Sequence, residues 1–89
     1  MTVLVRVMLK SGVLDPQGQA IADALHRLGY TSVEDVRAGK LFRIEVATAD
    51  PAHAREVGTQ MAARLLANPV IEDFEVALEE AAARAGRAR

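Results

Sequence analysis

The dipeptide Asp-Pro occurs twice, at Asp15-Pro16 and Asp50-Pro51, each time between an alternating apolar run and a stretch with helical spacing. This repetition constrains the fold more than any other feature. An aspartate just before a helix accepts a bond from one of the orphan N–H groups of the first turn. A proline at the first helical position sacrifices no bond, and its fixed φ already suits the helix. The chain therefore reads as two strand-then-helix halves that echo each other.

Residues 2–10 alternate. Val3, Val5, Val7 and Leu9 share one face, and Leu4, Arg6, Met8 and Lys10 the other, as a half-buried strand requires. Leu4 and Met8 make the second face more apolar than a solvent face. The plainer reading is cover by the chain's own loops; the sharper one is a partner surface. Gly12 permits a turn before the first helix, and Gly18 permits close approach of another backbone. Residues 16–28 predict a helix with Ala20, Ile21, Ala24, Leu25 and Leu28 on its inner face and Gly29 at C′. Residues 33–38 predict a weaker second strand. Val33 and Val36 have opposite parity there, so a bulge or a late start is expected. Ala38-Gly39 then makes a tight connection into a third strand over residues 40–48, with Phe42, Ile44 and Val46 pointing one way. The second helix is expected to run to about residue 67 on an inner stripe of Ala54, Val57, Gly58, Met61 and Leu65. Asn68 serves at its C′ position and Pro69 blocks continuation. Residues 70–78 predict the last strand, with Phe74, Val76 and Leu78 inward. The order βαββαβ predicts an α+β ferredoxin-like sandwich, an antiparallel sheet with both helices on one face. One domain is expected over residues 1–80. Residues 81–89 form an Ala/Arg-rich tail, expected as a frayed helix or a disordered end.

A chain of 89 residues is enough for one domain, and one this small is marginal alone, so oligomerisation is the expected route to extra stability. The absence of cysteine excludes a disulfide framework, a thiolate zinc site and a Cys nucleophile. Eleven Lys+Arg against twelve Asp+Glu give no general drive towards nucleic acid or anionic lipid. The apolar start is interrupted by Arg6 and leads to no cleavage-like site, and no run approaches a membrane span. A soluble cytoplasmic protein is the expectation.

A search for chemistry returns little. His26 and His53 pair with no nucleophile and read as surface or cap-region histidines. Glu72, Asp73 and Glu75 are divided by strand alternation between two faces, where they read as a solvated edge rather than as converging ligands. Gly12 and Gly18 match neither phosphate-loop pattern, and Asp15 places a negative charge where an anion would sit. Arg37, Lys40 and Arg43 cluster at the hairpin, as a solvated edge or as a docking patch for an acidic partner. Phe42 and Phe74 follow the buried parity, which disfavours a nucleic-acid surface.

The residues themselves carry the reading further. Leu9-Lys10-Ser11-Gly12-Val13-Leu14-Asp15-Pro16-Gln17-Gly18 closely resembles the signature of the PurS family, the small subunit of the multi-component phosphoribosylformylglycinamidine (FGAM) synthase. Three further segments agree in order: Leu28-Gly29-Tyr30, then Val33-Glu34-Asp35-Val36-Arg37-Ala38-Gly39-Lys40, then Leu65-Leu66-Ala67-Asn68-Pro69-Val70-Ile71-Glu72-Asp73-Phe74. The resemblance covers residues 3–78. The tail beyond Glu80 looks longer than the family's usual end and inherits no function.

The resemblance implies a non-catalytic role in purine biosynthesis. The family's complex converts formylglycinamide ribonucleotide, glutamine, ATP and water to FGAM, glutamate, ADP and phosphate. A large synthetase subunit and a separate glutaminase subunit use the ATP, Mg and glutamine, and this chain is expected to bind none of them. The small subunit bridges the two and supports ammonia transfer, and the family usually self-associates, as a homodimer or higher homo-oligomer. The matched motif residues are Lys10, Gly12, Asp15, Pro16, Gln17 and Gly18, then Arg37, Gly39 and Lys40, then Asn68 and Pro69. Capping explains Asp15, Pro16, Asn68 and Pro69, and turn geometry explains Gly39. Lys10, Gln17, Arg37 and Lys40 lack such an account and are the interface candidates, with Leu4 and Met8 or a strand edge for self-contact. The competing readings are a stand-alone ferredoxin-like module that senses a small metabolite between protomers and, last, a small enzyme. The fold hosts many functions and decides among none of them.

Overall fold

The computed structural model describes residues 1–79. The expected tail lies outside the described residues. Strand β1 (Thr2–Leu9) leads through a turn at Gly12 to helix α1 (Pro16–Arg27). Strand β2 (Gly39–Glu45), helix α2 (Pro51–Met61) and strand β3 (Glu72–Leu78) follow. The sheet is antiparallel with order β2-β1-β3, so the most apolar strand lies at its centre. Val3, Val5 and Val7 are wholly buried, paired with Ile44, Phe42 and Lys40 on one side and with Leu78, Val76 and Phe74 on the other. Helix α2 packs over this face. Gly58 meets the sheet so closely that a Cβ there would stand 2.7 Å from Val3 Cγ1 and 3.0 Å from Val76 Cγ1.

Both Asp-Pro helix starts form as expected. Asp15 Oδ1 accepts from Gly18 N–H at 2.9 Å, and Asp50 Oδ1 accepts from Ala52 N–H at 3.0 Å. Helix α1 ends with Gly29 at φ 100°, where Gly29 N–H donates to His26 O and Tyr30 N–H to Leu25 O. These are the paired bonds that close a helix on a left-handed glycine.

Four expectations fail. Residues 33–38 form no strand, so the described sheet has three strands rather than four. The segment lacks alternation, and its backbone groups go elsewhere: Ala38 N–H to Asp15, and Val33 O to His26. Without that strand, helix α1 is not laid on the sheet beside α2. Gly18 and Ala22 are buried, but Ile21 is 40% and Leu28 74% exposed. The expected stripe of α2 also breaks. A π turn over Ala62–Leu66, closed by Ala67 N–H to Ala62 O at 2.9 Å, inserts one residue into the helical phase. Ala62 continues the inner row of Ala54 and Gly58, Ala67 takes the next inward place five residues on, and Leu65 turns out, 83% exposed. Asn68 is not a left-handed cap. It forms a side-chain turn in which Oδ1 accepts from Val70 N–H at 3.0 Å.

Candidate functional site

The motif residues converge at one end of the sheet, where β1 leaves and β2 and β3 enter. A cleft of about 190 Å³ there is lined by Asp15, Gln17, Gly39, Lys40 and Glu72, among others. A groove of about 380 Å³ is lined by Lys10, Ala67, Pro69, Asp73 and Phe74 and shares Glu72 with it. Segments far apart in sequence therefore meet around one glutamate.

Asp15 is the best-buried polar side chain of this end. Besides capping α1, its second oxygen accepts from Ala38 N–H at 2.8 Å, across 23 residues of sequence. The carboxyl is held below its ordinary value, first by the bond from Gly18 N–H, then by the bond from Ala38 N–H, with the Arg37 charge adding to both. Gly18 is obligatory beside it, since a Cβ would overlap the Val36 carbonyl oxygen. Arg37 holds the same junction. Its guanidinium donates to Lys10 O and Val13 O, each at 3.3 Å, and so has a structural account that its sequence context did not reveal.

The two lysines face carboxylates. Lys10 Nζ lies 2.6 Å from Asp73 Oδ1, and Lys40 Nζ lies 3.5 Å from Glu72 Oε2. Gln17 is exposed at the rim of the smaller cleft. Leu4 and Met8 stand on the opposite face of the sheet from α2, half-buried, beside Leu41 at 61% exposure. Arg6 and Glu75 pair across that face at 3.8 Å. The residue that sequence reasoning missed is Glu72. Strand alternation alone predicts a solvated edge acid there, yet its side chain is 12% exposed and accepts from Asn68 N–H at 2.7 Å. Its parity with Phe74, Val76 and Leu78 was the available signal.

Among the described residues, no group of three or more His, Cys, Asp or Glu side chains is placed to hold a metal ion. Nor is any helix there long and apolar enough to cross a membrane. His26 Nε2 lies 2.7 Å from Val33 O, and His53 is exposed in the first turn of α2. The polar groups at the sheet end bind backbone and one another, and the fold they tie together is that of a small α+β domain. Comparison with known proteins identifies the family. The family model for PurS, described as phosphoribosylformylglycinamidine (FGAM) synthase, matches residues 2–80. The chain belongs to the PurS family, the FGAM synthase subunits of purine biosynthesis.

Among its relatives is the FGAM synthase subunit PurS of Mycobacterium leprae, 50% identical over 76 residues, covering 85% of this chain and 92% of that protein. The crystal structure of PurS from Methanocaldococcus jannaschii superposes with a TM-score of 0.79 at 37% identity, over 89% of this chain and 95% of that one. It is described as one of the subunits of formylglycinamide ribonucleotide amidotransferase. A chain of the PurLQS structure from Thermotoga maritima superposes with a TM-score of 0.80 at 31% identity, over 88% and 95% of the two chains.

Proposed function

We propose that this chain is the non-catalytic bridge of a cytoplasmic FGAM synthase, joining a PurL-type synthetase subunit to a PurQ-type glutaminase subunit. The observation that carries this reading is the likeness to the Thermotoga maritima PurLQS chain over nearly all of both chains. The chemistry gives the bridge a purpose. Ammonia released into neutral water becomes ammonium, which has no lone pair with which to attack. Tight coupling of the two sites keeps it neutral in transit. ATP, Mg and glutamine act on the partner subunits, and this chain supplies assembly.

The chain also associates with itself. Helix α1 exposes Ile21 and Leu28, with Leu14 and Tyr30 beside it at 77% and 60% exposure. Four large apolar side chains on and flanking one helix are thus left uncovered in the single chain, and surface of this kind marks an interaction site where it joins into a patch. A second copy covers the α1 face in this reading, and the Leu4/Met8 face offers a further contact. Lys10, Gln17, Arg37 and Lys40 present the sheet end to the large subunits. Of these, Gln17 and Lys40 are the ones to change, because Arg37 ties the β1–α1 junction, and Lys40 is truncated rather than reversed because its Nζ faces Glu72 Oε2 at 3.5 Å. The test is size-exclusion co-elution of this chain with both large subunits from the same source. Joint elution of the wild type, weakened by Gln17→Glu/Lys40→Ala, is the expected result. Separate elution of the wild type contradicts the bridge.

A further inference from the structure

Helix α1 has no substantial packing on the sheet, so something other than a hydrophobic core must set its direction. Near its C-terminal end His26 Nε2 lies 2.7 Å from Val33 O, and two contacts hold its head. Gly18 lies against the Val36 carbonyl, at an approach no side chain permits. Asp15 accepts from Gly18 N–H at the head of the helix and from Ala38 N–H on the segment that leads into β2. Ala38 directly precedes β2, so this one carboxylate links the start of α1 to the start of an ordered strand. We propose that Asp15 is a positioning residue: by bridging Gly18 and Ala38 it fixes the angle at which α1 leaves the sheet, and with it the direction of the apolar face that a second copy of this chain covers. The inference rests on the self-association reading above.

A bridge needs two acceptor oxygens, whereas a cap needs one. Asparagine and serine both cap helices well. In Asp15→Asn one end becomes a donor and opposes an N–H, and in Asp15→Ser the single oxygen is too short to reach Ala38. Both variants keep the cap and remove the bridge. Asp50→Ala removes the cap of α2 and serves as a control for general destabilisation.

The experiment is hydrogen exchange by mass spectrometry, with sedimentation equilibrium on the same full-length proteins. In Asp15→Asn and Asp15→Ser, exchange is expected to rise at least ~10-fold over residues 16–39 and to change little in β1. The dissociation constant for self-association is expected to rise by a similar factor, about 10-fold. Asp50→Ala should produce neither change. Unaltered exchange over residues 31–38 in both Asp15 variants overturns the bridge. Faster exchange with an unchanged dissociation constant, or an equal effect from Asp50→Ala, overturns the positioning role. A wild type that stays monomeric at every concentration refutes the self-association reading instead, while the exchange data still decide whether the bridge exists.

Discussion

Each oxygen of the Asp15 carboxylate holds a backbone N–H, and the charge on that group makes both bonds stronger than neutral ones. The folded carboxyl lies below its ordinary 3.8, so its stabilisation is complete above about pH 5 and is lost as the pH falls through 4 and below. Exchange over residues 31–38 should therefore be flat from pH 5 to 8, after correction for intrinsic rates. It should rise below about pH 4 earlier than exchange in β1; parallel loss in both would contradict this. Half of this residue's role was legible, because capping is local. The other half was not, because Ala38 reaches Asp15 only through the path taken by residues 28–37. Arg37 and Glu72 share that difficulty, since their partners are set by how separate segments meet. Asp50 is the simpler case, a cap with no second long-range partner among its hydrogen bonds. Asp50→Ala should cost about 1 kcal/mol in urea unfolding, and a loss below the error of the fit would mean that its bond to Ala52 contributes nothing.

Elements with strong local signals form close to where expected, with β2 ending at Glu45 rather than at residue 48 and β3 beginning at Glu72 rather than at residue 70. Alternation marks β1, β2 and β3, and the two Asp-Pro pairs mark the helix starts. The strand expected over residues 33–38 had only β-branched residues of mixed parity behind it. Side-chain bonds from Asp15 and His26 outcompete ladder pairing there. The π turn had no sequence mark, since one added residue changes phase without changing composition. It yields a direct contrast. If a continuous α-helical stripe were correct, Leu65→Gln would cost several kcal/mol; with Leu65 turned outward it should lie within about 0.5 kcal/mol of wild type. Gly58→Ala should behave oppositely. Alanine gains about 1 kcal/mol in helix propensity, but its Cβ must displace two stiff valines of the core. Overpacking of this kind costs about 1–3 kcal/mol, so a net loss of stability is expected, and a net gain would show that α2 can lift off the sheet freely.

At the scale of the whole molecule, the fully buried core is small. Its largest fully buried side chains are three valines and Thr2, while Phe42, Ile44, Phe74 and Leu66 are only partly covered. On the proposed self-association, thermal midpoints should rise by a few degrees for each tenfold increase in protein concentration. A concentration-independent midpoint would mean that the single chain is sufficient. The most direct measurement of the central claim is reconstituted turnover. The synthetase and glutaminase subunits from the same source are combined with ATP, Mg and formylglycinamide ribonucleotide, and product formation is followed with glutamine or with ammonium salt, each with and without this chain. A bridge restores glutamine-driven turnover and barely alters the ammonia-driven rate. If glutamine-driven turnover is the same without the chain, it does not couple the two sites, and the bridging account is wrong.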